Sequence, residues 1–297
     1  MNMPFGLTIF FGSLTVWAGL LIWGLTHKKF TPFIVFGIAF LLFMNVRYLI
    51  EGAPAAIAFF IGIYDVLDNI GLQSGQTAAA LATCPDNACS VWGATYELHP
   101  SWGTAFHDRF LNGTEFRTNL LYAHLTFNSI VFVLMHIQLW RPGTGTGTGA
   151  NATLHAYLGR VSFACLTIGT VCAIWLAASH GSVDEYGGNL SMYGFWSMSF
   201  FVYGCAVMGV LAIRRGDVTS HRIWMIRFAG SMWGAFWIFR VILFVMGPIL
   251  RDYPSANILL CIWVSAPLGI LIAEVVRRKI LDPQSNGAKQ RGDLAYD

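Results

Sequence analysis

The sequence predicts an all-α polytopic membrane protein: seven transmembrane helices, N-terminus outside and C-terminus inside, around a four-helix core. Three observations carry this. Of 297 residues, 56% are hydrophobic and 11% charged, against about a quarter charged in a soluble domain, so the chain cannot cover a water-facing surface. Seven apolar stretches approach the ~20 residues that cross a bilayer. The cations of short connections fall on alternate turns. A net charge of +3, with no basic run among aromatics, gives no reason to expect a nucleic-acid partner; the expected surroundings are lipid.

In chain order, the first two predicted spans, Leu7–Thr26 and Thr31–Ile50, form a unit over residues 1–50. The first reads as an uncleaved anchor, because no Lys or Arg precedes it. The second is the weakest, since it carries Arg47 and ends near Glu51. Residues 51–118 form an outer-face segment, too long for a plain connector. Its apolar run Ala53–Ile63 is too short to span and reads as re-entrant or interfacial.

The four-helix core, residues 119–250, holds Asn119–Trp140, Ala156–Ser179, Met192–Ile213 and Ile223–Leu250. Gly143–Gly149, alternating Gly and Thr, reads as a flexible linker. Residues 251–281 hold the last span, Ala256–Val276, and residues 282–297 read as a disordered polar tail. With seven spans, Lys28–Lys29, Arg141 with Arg160, Arg214–Arg215 with Arg222, and Arg277–Lys279 all fall on one side. That pattern sets the orientation, because cytoplasmic loops collect Lys and Arg.

Cys84 and Cys89 flank a Pro-Asp-Asn turn in the outer segment. In an oxidising compartment they form a disulfide; two free thiols or a metal pair are the other readings. Cys165, Cys172, Cys205 and Cys261 lie in spans as small apolar fillers. The outer segment is dense in aromatics, among them Trp92, Trp102 and Phe106. They suit a cap at headgroup level, or a ligand or partner surface. The sequons at Asn112 and Asn189 face outward, and three-residue patterns also arise by chance.

Ionisable residues inside spans are costly and mark sites. Five histidines stand on or beside the core helices in two layers: outer His124 and His180, inner His136, His155 and His221. Two imidazoles from different helices can ligate one b-type haem; boundary histidines also bond headgroups, water or carbonyls. His124 and His136 lie about 120° apart around one helix, which argues against both serving stacked haems. Arg227 either snorkels or binds an anion. Arg240 lies deep, where a haem propionate, a quinone oxygen or an anionic lipid would suit it. Glu274 is spaced to pair with Arg277 or Arg278.

The segments His124 with Gln138-Leu139, His155-x-x-x-Gly159-Arg160 and His221-Arg222-x-Trp224-Met225-x-Arg227 carry a resemblance. Over about residues 119–245 the chain resembles a family of bacterial integral membrane proteins whose shared domain has no assigned function. That core is similar in layout to cytochrome b561-like and ferric-reductase-like haem proteins. The resemblance implies His124, His155 and His221 as metal or haem ligands, with Arg160, Arg222 and Arg227 as anion partners. The expected function is then haem-b electron transfer between a quinol or inner-side donor and an outer-side acceptor in a bacterial inner membrane. Two rivals remain: a non-catalytic subunit scaffolding a larger membrane complex through its outer loop, and a zinc hydrolase using His136, His155 and His221.

Overall fold

The computed structural model describes residues 3–46, 49–50, 88–91, 94–97, 115–140, 150–178, 189–247, 249–250 and 254–278. Helices α1 (Met3–His27) and α2 (Thr31–Val46) are followed by a hairpin of β1 (Ala88–Val91) and β2 (Ala94–Glu97). Then come α3 (Glu115–Trp140), α4 (Ala150–Ala178), α5 (Asn189–Arg214) and α6 (Val218–Trp233). A π turn, Gly234–Ile238, joins α6 to α7 (Phe239–Met246), and α8 (Pro254–Val276) completes the order.

Six segments are long and apolar enough to cross a membrane: Ile9–His27, Glu115–Leu139, Ala152–Ala178, Asn189–Arg214, Val218–Met246 and Ala256–Val276. Helix α2 has 16 residues, about 24 Å at 1.5 Å per residue, short of the ~30 Å hydrocarbon core. The chain is thus a multi-pass membrane protein with six helices of spanning length among the described residues.

The fold is helical as expected, with one short β1–β2 hairpin added among the described residues. The hairpin pairs Ala88 with Glu97 and Val91 with Ala94 in antiparallel register. Four-residue strands are too short for a period-two pattern to stand out. Cys84 of the expected disulfide, the run Ala53–Ile63, the linker Gly143–Gly149 and the tail all lie outside the described residues.

The helices pack in sequence, α1 on α2, α2 on α3, α3 on α4 and α4 on α5, while α6 and α8 pack on each other and on α5. Aromatic contacts from α1 and α2 to the span of α6 and α7 close the ring. Phe10 meets Phe244 at 5.5 Å, Trp17 meets Trp237 at 5.0 Å and Phe33 meets Trp233 at 5.3 Å. Trp17 is fully buried and donates its indole N–H to the Phe33 carbonyl at 3.0 Å. A Cβ at Gly37 would sit 2.5 Å from that indole, so only glycine lets the ring lie on the α2 backbone.

Between α6 and α8 the backbones touch. A Cβ at Gly230 would sit 2.5 Å from both the Gly269 carbonyl oxygen and the Ala273 methyl. One at Gly269 would fall on the Gly230 carbonyl, and one at Gly234 on the Ser265 carbonyl. Small residues permit this approach, which replaces hydrophobic association where lipid tails are as apolar as leucine. Gly269→Ala is expected to destabilise the protein by about 1–3 kcal/mol, because backbone rather than a movable side chain meets the new methyl. Gly204→Ala, with nothing within 4 Å of its Cβ, is expected to be neutral or mildly stabilising. Thermal unfolding in detergent checks both.

Candidate functional site

The structure brings His155 and His221 together, with ring centroids 6.4 Å apart and planes at 85°. Each stands in the first turns of its helix, α4 or α6. Both helices begin before the expected span starts at Ala156 and Ile223, so the two histidines lie within them.

The α5–α6 turn places His221. Gly216, at φ +77°, takes the left-handed conformation that ends α5. Asp217 N–H then donates to the Ala212 carbonyl and Gly216 N–H to that of Ile213, both at 3.0 Å, the paired bonds of a Schellman cap. Asp217 caps α6 by accepting from the Ser220 N–H at 2.8 Å. Hydrogen bonds from the Ser220 side chain first, and then from its backbone N–H, hold this carboxyl below the ordinary 3.8.

The imidazole of His221 is fixed from α5, with Nδ1 2.8 Å from the Gly209 carbonyl oxygen. A carbonyl only accepts, so Nδ1 carries the proton and Nε2 keeps a free lone pair. Metal-ligating histidines are commonly held this way. The backbone of His155 is tied to α3, because Gln138 donates its side-chain N–H to the His155 carbonyl at 3.1 Å.

The other core histidines have different surroundings. His136 is fully buried; its Nδ1 donates to the Phe132 carbonyl at 2.6 Å, and its Nε2 accepts the indole N–H of Trp233 at 2.9 Å. Both ring nitrogens are engaged, and the residue bridges α3 to α6. His124 lies between α3 and α4, Nδ1 3.0 Å from the Gly169 carbonyl oxygen and 3.0 Å from Asn128 Nδ2. A Cβ at Gly169 would sit 2.9 Å from Asn128 Oδ1. No three of the described His, Cys, Asp or Glu residues form a metal-holding group. The trios His136–His155–His221 and His124–His155–His221 therefore do not assemble: His155 and His221 meet, while His136 is bound to Phe132 and Trp233 and His124 to Gly169 and Asn128. His180 lies outside the described residues.

The arginines separate likewise. Arg227 pairs with Glu274 of α8 at 3.3 Å and lies over the Trp224 ring at 4.6 Å. Glu274 also takes Arg277 at 2.6 Å and Arg278 at 2.7 Å, the helical pairs expected from spacing. Arg240 folds back on its own helix, donating to the Phe236 carbonyl and lying 4.5 Å over the Phe236 ring. Arg160 and Arg222 are exposed near the histidine pair in sequence. Cys165, Cys172, Cys205 and Cys261 are free thiols, Cys261 fully buried. The partners missed by sequence reasoning, Gly169, Gly209 and Phe132, act through backbone carbonyls, which no side-chain pattern reveals. Trp233 carried no signal beyond its place on α6.

No protein-family model, curated protein or solved structure matches the chain.

Two outcomes follow from this geometry. Trp233→Phe leaves the buried Nε2 of His136 without its donor, and equilibrium unfolding is expected to show a loss of about 1–3 kcal/mol. The carboxylate of Asp217 has a depressed folded value, so its capping contribution is present above its unfolded value and is lost as pH falls through the folded one. Hydrogen-exchange protection of the first turn of α6 is therefore expected to hold at pH 7 and to fall on acidification below 3.8. Asp217→Ala is expected to remove that pH dependence.

Proposed function

We propose that this chain is a haem-b-binding redox protein of the membrane, passing electrons between a quinol or inner-side donor and an outer-side acceptor. The observation that carries the reading is the meeting of His155 and His221 at one end of the four-helix core. Two imidazoles from different helices can hold one haem iron, and rings 6.4 Å apart are near enough that both would reach one ion. The Gly209 bond leaves Nε2 of His221 as the ligating nitrogen. His155 and His221 would hold the group, with Arg160 and Arg222 beside them in sequence as partners for its carboxylates. Haem b supplies a one-electron iron couple; the chain's part is to fix the ligands and exclude water. His124, also held at Nδ1 by a glycine carbonyl, would serve any outer-side group.

In this reading α2 is a seventh, short crossing, with the N-terminus outside. The tight α1–α2 turn at Lys28–Lys29 supports this, since it is followed on later turns by Arg214–Arg215 and Arg277–Arg278. These positions agree with the rule that collects cations on the cytoplasmic side. The resemblance of residues 119–245 points to a bacterial inner membrane.

Detergent-purified protein is expected to show a Soret band that shifts on dithionite reduction. Either His155→Leu or His221→Leu is expected to abolish the same signal. His27→Leu, on an exposed histidine stacked against Trp23, should leave the spectrum unchanged. Wild-type protein with no Soret band and no pyridine haemochrome would overturn the proposal. Stoichiometric co-purifying subunits would then favour a scaffolding subunit.

A further inference from the structure

We infer that α6 at Arg227 and the C-terminal end of α8 form a binding site for the phosphate of an anionic phospholipid, organised by Glu274. Three guanidiniums, Arg227, Arg277 and Arg278, converge on this one carboxylate, leaving a net charge of +2. The Glu274 side chain is 14% exposed while Arg278 is 64% exposed, so the shared carboxylate is held inside and part of the excess charge reaches the surface. Arg227 and Arg278 each use Nε on Glu274. Among the described residues no other acceptor takes their terminal Nη groups. Two guanidiniums held by their Nε atoms on one carboxylate thus keep their terminal N–H groups for a further anion, and phosphate oxygens suit such donors.

The backbone contact of α6 and α8 builds this cradle. Gly230, one turn from Arg227, meets Gly269 and Ala273, and Ala273 adjoins Glu274.

The occupant is a lipid rather than a free anion because of what lies along the same face. Leu271 and Val275 on α8 and Arg278 just beyond its end follow at helical spacing, and Leu271 and Val275 are exposed. An acyl chain on the two apolar side chains carries its headgroup to Arg278, where the apolar span ends at Val276. Basic pockets between transmembrane helices recognise anionic headgroups in this way.

The test titrates the full-length protein in neutral detergent with phosphatidylglycerol, phosphatidylcholine or inorganic phosphate, read by native mass spectrometry and thermal shift. Phosphatidylglycerol is expected to bind about tenfold more tightly than phosphatidylcholine, with inorganic phosphate failing to displace it. Arg278→Gln, at a side chain 64% exposed and so tolerant of change, should reduce that preference. Arg227→Gln combined with Arg278→Gln should abolish it. Arg214→Gln with Arg215→Gln, at exposed cations of the α5–α6 turn, should leave it intact. Equal binding of the two lipids, an undiminished preference in Arg278→Gln, or displacement by inorganic phosphate would overturn the inference.

Discussion

The contact on which the rest depends is the direct meeting of the α6 and α8 backbones at Gly230, Gly234 and Gly269. In lipid, helices gain little by hiding apolar side chains from one another; close packing and interhelical hydrogen bonds hold them. Here the absence of Cβ atoms lets one helix lie on the other. The rest of the span formed by α6 and α7 is then free to carry the aromatic layer against α1, α2 and α3. Phe132, Trp233, Phe236 and Trp237 meet there, with His136 embedded among them. Part of this span is thus built from the smallest side chains and part from the largest.

Three of the core histidines, buried or half-buried, follow a common rule. His124, His136 and His221 each place Nδ1 on a main-chain carbonyl, of Gly169, Phe132 and Gly209 respectively. A bilayer interior offers no water to such groups, so the protein must provide the partner itself. What separates the three is the surroundings of Nε2. In His136 it is closed by Trp233; in His221 it is left with a lone pair at the end of the core where His155 stands. The same first bond therefore yields a structural strut in one place and a candidate ligand in another.

Much of the architecture was legible because span length and hydropathy are properties of long windows. The six long spans agree with expectation, apart from ends displaced by a few residues. The second, already the weakest for its Arg47, is the short helix α2. The His155–His221 meeting was legible from two histidines opening two helices on one side. The Arg227–Glu274 pair was not, because it joins residues 47 positions apart across a crossing set by glycines. Nor was the role of His136: its sequence context matches that of a ligand, and only the packing of α3 on α6 gives its Nε2 to an indole.

The π turn at Gly234–Ile238 has a consequence for how this span can change over evolutionary time. A π turn holds one residue more than an α turn, so it acts as a phase adjuster between two stretches of regular helix. Above it, Phe244 faces Phe10 and Phe11 of α1, and the Leu243 carbonyl takes the side-chain N–H of Asn257 from α8. Below it, Gly230 faces α8 and Trp233 faces α2 and α3. Loss of a single residue from the turn would rotate one half by about 100° relative to the other, carrying Phe244 and the Leu243 carbonyl away from their partners. The extra residue lets the two halves of one helix keep separate sets of neighbours, so substitutions in one half need not be matched in the other.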